Sequence, residues 1–222
     1  TEGITFHGNR LQNRVLDAEA ERQTLSVRRG GIPNPQLISE SYGNNLTAFA
    51  DADFATDRDE RRSTSGWVLY LNGGPISWRS HRQKSVSIST TEAELYSLSD
   101  ATKEVIWVQR ILGELGFAQP RVRAGTGIGN SGTCIGSNSG TTIFEDNAGC
   151  RDTVRQNGGV NGRAKHIDIR RNFLQSHVAV GTLCVAVCPT VHMVADVLTK
   201  NLGSQIFSRL FGRLMGSICE TD

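Results

Sequence analysis

The chain has 222 residues, 37% hydrophobic and 21% charged, with 24 Lys+Arg against 22 Asp+Glu and a formal net charge of +2. That length suits one domain with appendages, and the near-neutral balance excludes a protein held to nucleic acid by bulk charge alone, so any polyanion contact must be local. The sequence has no apolar run of about 18 residues, and Thr1-Glu2-Gly3 opens no basic-then-apolar leader, so neither a membrane span nor a secretory signal is expected.

In chain order, residues 3–6 read as a short strand and residues 11–29 as a helix ended by Pro33 and Pro35. Residues 1–45 hold five acids and five Lys/Arg with little apolar content, and are expected to be an appendage. A core domain is expected over residues 46–216. Leu46 to Phe54 reads as its first strand and Trp67 to Leu71 as the second. After the turn residues Asn72-Gly73-Gly74-Pro75 a third starts at Ile76, with another short extended run around Val86 and Ile88. Thr91 to Leu115 has Leu95, Leu98, Ala101, Val105, Val108 and Leu112 at helical spacing. Thr91 and Glu94 stand at capping-box spacing at its start, and Gly116 is a natural stop.

Residues 118–140 contain six glycines, two arginines and no acid, a composition expected to form a mobile insert. Thr141 to Glu145 reads as a strand, followed by a short helix to about Arg155 and the loop Asn157-Gly158-Gly159. A helix over Lys165 to His177, a strand over Thr182 to Val187 and a last helix over His192 to Leu202 come next. An amphipathic stretch over Ile206 to Met215 and a tail over 217–222 close the chain. A strand, helix, strand crossover requires a parallel pair, so the expected fold class is α/β, a mixed sheet with helices packed on it. The five cysteines are odd in number and scattered, a poor disulfide framework, so a reducing, intracellular location is expected. The absent initiator Met makes the chain an expected fragment of a longer polypeptide.

Four acids fall at telling places: Asp51 and Asp146 at the ends of two strands, Glu94 in the first turn of the long helix, and Asp196 in the last helix. If the two strands are parallel neighbours their carboxyl ends adjoin, and helix residues over that edge can meet them. Such a cluster is tolerable when Mg²⁺ or Mn²⁺ neutralises it, and two ions about 3.5–4 Å apart clamp a phosphodiester for in-line displacement. Singly, each acid also has a plain structural reading as a strand-end, capping or helix-dipole residue. Asp53 and Glu92 compete with Asp51 and Glu94. Strand alternation puts Asp51 and Asp53 on one side, whereas Glu92 lies about 160° around the helix from Glu94.

Six blocks are similar to the ribonuclease H domain of copia-type retrotransposon polyproteins: Ala48-Phe49-Ala50-Asp51-Ala52-Asp53-Phe54-Ala55, Arg62 to Trp67, Ile76-Ser77-Trp78, Ser89 to Glu94, Lys165 to Arg170, and Val194 to Lys200. The match runs in order over roughly residues 46–215, and Gly3-Ile4-Thr5-Phe6 resembles the end of the connection after the reverse transcriptase. This resemblance implies a ribonuclease H-like fold, hydrolysis of the RNA strand of RNA–DNA hybrids, and two Mg²⁺ (or Mn²⁺) ions on Asp51, Glu94, Asp146 and Asp196. It also implies a reverse transcriptase portion of the same polyprotein as partner, with a cytoplasmic particle or the nucleus as location. The alternative function is a non-catalytic module of the same fold that supports nucleic-acid binding or assembly of a reverse transcriptase.

Other residues carry weaker signals. His192 stands four residues before Asp196, one helical turn if the helix holds, and is a candidate proton shuttle. Lys165 and His166 at a helix start suit phosphate, with a solvated face as the plain reading. Arg79, His81, Arg82 and Lys84 beside Trp78 form a local basic stretch suited to hybrid backbone contacts. Cys184-x3-Cys188-x3-His192 has metal-ligand residue types but no zinc-module spacing, and buried structural cysteine is the expected reading.

Overall fold

The structure is a computed structural model and describes residues 45–119, 141–155 and 165–215. The expected elements before Asn45, nearly all of the 118–140 insert, the 157–159 loop and the 217–222 tail lie outside the described residues. Five strands form one sheet: β1 (Leu46–Asp53), β2 (Thr64–Leu71), β3 (Gly74–Arg82), β4 (Thr141–Glu145) and β5 (Leu183–Val187). Their order is β3-β2-β1-β4-β5, with β1–β2 and β2–β3 antiparallel and β1–β4 and β4–β5 parallel. The β2–β3 turn puts Asn72 at φ 54° and Gly73 at φ 82°, two left-handed residues in a two-residue hairpin loop whose twist matches the strands.

Alternation along β1 sends Leu46, Ala48 and Ala50 to one face of the sheet. There they meet Leu95, Leu98, Ala101, Val105 and Leu112 of α1 (Thr90–Glu114), with Ile143 of β4, Leu183 of β5 and Leu174 of α3 (Lys165–Ala179). The alanines keep β1 low enough for α1 to settle across it. Each fully buried Leu of this layer contributes about 1.5–3 kcal/mol. The other face, carrying Val68 and Tyr70, is covered by α4 (Asp196–Thr199) and α5 (Ser204–Leu214) through Val197, Leu198, Leu210 and Leu214. Tyr70 Oη donates to the Leu214 carbonyl at 3.1 Å. Between β4 and α3 lies α2 (Ala148–Arg155), opened by Asn147 Oδ1 accepting the Cys150 N–H at 2.9 Å.

Four expectations need correction. The start of α1 is capped by Ser89, not Thr91: Ser89 Oγ accepts the Glu92 N–H at 3.1 Å, and Glu92 Oε2 accepts the Ile88 N–H at 2.8 Å. Val86 and Ile88 are exposed and form no strand, because Gln83 ties the chain down after β3 and turns it away from the sheet. The Gln83 side chain donates to Ser65 Oγ and the Ala93 carbonyl and accepts from Ser87. The helix expected over His192–Leu202 is a 3₁₀ turn (Thr190–His192), a break at Met193 and the single turn α4. Finally, Cys184 is disulfide-bonded, against the expectation of scattered reduced thiols, while Cys150 and Cys188 are free. No helix among the described residues is long and apolar enough to cross a membrane.

Candidate active site

The parallel β1–β4 pair brings the carboxyl ends of both strands to one edge, where Asp51 of β1 and Asp146, just past β4, stand side by side. Glu94 descends on them from the first turns of α1. Carboxylate oxygens of Asp51, Glu94 and Asp146 lie within 4.8 Å of one another. Asp51 is fully buried and Glu94 nearly so, while Asp146 is half-buried and accepts Thr190 Oγ1 at 3.1 Å.

Asp196 joins Asp51 through a lysine. Lys200 Nζ donates to Asp51 Oδ1 at 3.0 Å and to Asp196 Oδ1 at 2.7 Å, and Thr199 Oγ1 donates to Asp51 Oδ2. This side of the site depends on a glycine. Gly66 pairs with Asp51 across β1–β2, and a Cβ there would lie 2.6 Å from Thr199 Cγ2 and 2.9 Å from Leu198 Cβ. Only a hydrogen at that position lets α4 lie close enough for Thr199 and Lys200 to reach Asp51.

Burial dominates the electrostatics. It pushes Glu94 up to about 11, helped by the charges of Glu145, Asp51 and Asp146, and pushes Asp196 up to about 7, helped by Asp51. Asp51 is raised by burial against the opposing pull of Lys200 and Thr199. Glu145, fully buried, is raised well above the carboxylate range by burial, against the Asn147 N–H that it accepts. Burial works against the Lys200 charge, but Asp51 and Asp196 outweigh it and raise its pKa.

Among the described residues, Glu94 Oε2 and Glu145 Oε2 are buried with no hydrogen-bond partner. Orphaned buried oxygens are costly, and two of them beside three converging carboxylates fit a hard divalent cation, Mg²⁺ or Mn²⁺, with oxygen ligands.

Of the sequence-derived acids, the structure therefore brings Asp51, Glu94 and Asp146 together directly, with Asp196 attached through Lys200. Glu92 is spent on Ile88 and on His166, whose Nε2 is 3.2 Å from Glu92 Oε1. Asp53 is half-buried at the strand end and its carbonyl accepts Thr56 Oγ1. The helical turn imagined between His192 and Asp196 is absent. The His192 ring instead pairs with Arg213 of α5 beside a cavity of about 430 Å³ lined by Phe49, Tyr70 and Phe144.

Of the basic candidates Arg79, Arg82, Lys84, Lys165 and His166 are exposed, while His81 is half-buried 3.4 Å from Asp100, and β3 ends at the same sheet edge: Thr64 pairs with Asp53 on one side and with Arg82 on the other. Arg82 is paired with Asp57 and lies 3.6 Å from Glu60, whereas Arg79, Lys84 and, at the start of α3, Lys165 are exposed. Sequence reasoning missed Glu145, Lys200, Thr199 and Gly66. Lys200 stood at the end of the Val194 to Lys200 block, and the signal for its contact was its i+4 spacing from Asp196. For Glu145 it was alternation, which puts that residue on the inward side with Thr141 and Ile143.

Three antiparallel strands followed by two parallel ones, with α1 across one face and an acidic cluster at the carboxyl edge, define a ribonuclease H-like module. The chain is 31% identical, over a 222-residue alignment, to the retrovirus-related Pol polyprotein from transposon RE1 of Arabidopsis thaliana, covering 95% of this chain and 13% of that polyprotein. It is 34% identical over 155 residues to that from transposon TNT 1-94 of Nicotiana tabacum, covering 70% of this chain and 10% of the relative. The solved LC11 ribonuclease H1 isolated from compost aligns with a TM-score of 0.46 and 12% identity, over 76% of this chain and 99% of that one. No family model matches. These relatives are copia-type retrovirus-related Pol polyproteins of transposons, and the chain spans about a tenth of their length.

Proposed function

We propose that this module is a metal-dependent endoribonuclease that hydrolyses the RNA strand of RNA–DNA hybrids during retrotransposon reverse transcription, beside the reverse transcriptase of the same polyprotein. The observation that carries this reading is the convergence of Asp51, Glu94 and Asp146, with unpaired buried oxygens of Glu94 and Glu145 beside them. Asp51, Glu94, Asp146 and Asp196 would hold two Mg²⁺ or Mn²⁺ ions. The ions would supply charge neutralisation at the phosphodiester and a bound water of lowered pKa.

The chain's own residues set the stage for that chemistry. Thr199 fixes Asp51 by donating to one of its oxygens, and Asn147 holds Glu145 from the backbone. The buried positions of Asp51 and Glu94 keep bulk water from those two carboxylates, which strengthens the charge interactions between them. Arg79, Arg82, Lys84, Lys165 and His166 would contact phosphates, giving affinity without base recognition. Discrimination of RNA from DNA would rest on the 2′-hydroxyl.

The test is cleavage of a labelled hybrid beside duplex DNA and duplex RNA, in Mg²⁺, Mn²⁺ or chelator. The expected result is cleavage of the RNA strand of the hybrid alone, lost in chelator. Equal cleavage of duplex DNA would move the module to a DNA-acting nuclease, and hybrid binding without cleavage in either ion would make it a non-catalytic module.

A further inference from the structure

The two sides of Asp51 are not equivalent. Toward Glu94 and Asp146 the carboxylate oxygens converge within 4.8 Å, and Glu94 Oε2 is buried without a partner. Toward Asp196 the gap is filled: the Lys200 ammonium sits 3.0 Å from Asp51 and 2.7 Å from Asp196, and the hydroxyl of Thr199 takes the remaining Asp51 oxygen. Resting on the cation site proposed above, we infer that Lys200 is a built-in cation that occupies the Asp51–Asp196 side, so that this chain takes one divalent ion readily and a second only when Lys200 withdraws.

Three features support this. Asp51 and Asp196 are both buried carboxylates, and two such charges need a counter-charge whether or not a metal ion is bound. A lysine ammonium is a compact point charge with three donors, able to neutralise both at once. It is tethered for exchange, not locked. Lys200 follows the single turn α4 as its C-cap, with extended backbone (φ −109°, ψ 148°), and its side chain is 31% exposed. The ammonium can therefore leave for solvent by rotating its stem while its backbone N–H stays bonded to the Asp196 carbonyl at 2.9 Å. The side toward Glu94 has unpaired oxygens waiting, whereas the side toward Asp196 must first give up two charge-assisted hydrogen bonds. Lys200 would thus act as a positioning residue that sets the order of ion loading and keeps Asp51 and Asp196 together before the second ion arrives.

The inference is tested by counting bound Mn²⁺ from the paramagnetic signal of the free ion, in the whole chain without substrate. The expected wild-type result is one ion bound per chain, with a second at least tenfold weaker. In Lys200→Met the second ion should bind at least tenfold more tightly than in wild type, and adding Asp196→Asn to that variant should return the count to one. Lys200→Gln, which keeps a polar stem, serves if Lys200→Met fails to fold. A measurement on the unaltered chain stands behind both: reductive methylation of Lys200, followed by mass spectrometry, should accelerate only once Mn²⁺ exceeds the first equivalent. Two equal ions in wild type, an unchanged second site in the Lys200 variants, or methylation indifferent to Mn²⁺ would overturn the role of Lys200 and leave the cation site standing. No Mn²⁺ bound by any of the proteins would overturn the proposed function itself.

Discussion

Replacing Gly66 by alanine should damage the site more than the fold. The new Cβ would stand 2.6 Å from Thr199 Cγ2 and 2.9 Å from Leu198 Cβ, both inside contact distance, with the Ala195 carbonyl oxygen 3.4 Å away. Overpacking of this kind costs about 1–3 kcal/mol, offset by about 0.4–1 kcal/mol from the stiffer unfolded chain. A net loss of about 1–2 kcal/mol corresponds to a fall in melting temperature of about 2–8 °C for a domain of this size. The site should suffer further because Thr199 carries both the clashing methyl and the hydroxyl that donates to Asp51, and Asp196 and Lys200 ride on the same turn. A displacement near 1 Å at that turn should slow hybrid cleavage about ten- to a hundred-fold. The assay is a melting curve together with kcat on labelled hybrid, with Gly113→Ala as control. Gly113 lies in α1, where a methyl added to it would meet nothing within 4 Å, so that change should stabilise by about 0.5–1 kcal/mol and leave cleavage alone. If Gly66→Ala melted and cleaved like wild type, α4 would not owe its position to that close approach.

Glu92→Ala removes the acceptor of the Ile88 N–H and should cost about 0.5–2 kcal/mol of stability while sparing cleavage, whereas Glu94→Gln should abolish cleavage. A fully stable Glu92→Ala variant with no activity would reverse that assignment. The pH dependence without metal follows from two raised acids: Glu94 at about 11 against 4.5 unfolded, and Asp196 at about 7 against 3.8. Both are raised, so their contribution is whole below the unfolded values and is lost as pH climbs, through about 4 to 7 for Asp196 and onward to about 11 for Glu94. The melting temperature in chelator should therefore fall from about pH 5 to pH 9, and saturating Mg²⁺ should flatten that fall because it binds the ionised carboxylates. A chelated protein that gained stability over this range would contradict the buried cluster. Neutralising Lys84 and Lys165 together should weaken hybrid binding in Ca²⁺ and flatten the slope of log affinity against log salt by up to about 0.9 per lost phosphate contact. An unchanged slope would place the hybrid on another face.

How far the sequence could be read depended on whether a local pattern had one solution. The stripe from Leu95 to Leu112 and the left-handed Gly116 admit only a helix and its stop, and the inward faces of β1 and β4, which end at Asp53 and Glu145, follow from alternation. The helix start was ambiguous because two capping boxes overlap, Ser89 with Glu92 and Thr91 with Glu94, and the spacing serves both equally. The choice is tertiary: Glu94 goes to the acids of the sheet edge, which leaves Glu92 for the cap. Val194, Val197 and Leu198 imitate a long helix because they face α5 and the sheet, but Met193 and Ala195 pack in a separate cluster with Cys188 and interrupt it. Val86 and Ile88 alternate like a strand, yet the Gln83 hydrogen bonds draw the chain off the sheet before they are reached. Lys200 was legible as a residue of a motif but not as a counter-ion, because its partner Asp51 lies 149 positions away in sequence.

The central claim is that Asp51 and its neighbours form a metal-dependent hydrolytic site, and the most direct measurement is hybrid cleavage in Mg²⁺ by Asp51→Asn beside Asp53→Asn. The two acids lie on the same strand and the same side, but only Asp51 is fully buried within reach of Glu94 and Asp146. Asp51→Asn should keep the fold and lose cleavage of the RNA strand, while Asp53→Asn should cleave at near the wild-type rate. Near-wild-type turnover by a folded Asp51→Asn variant would contradict the account.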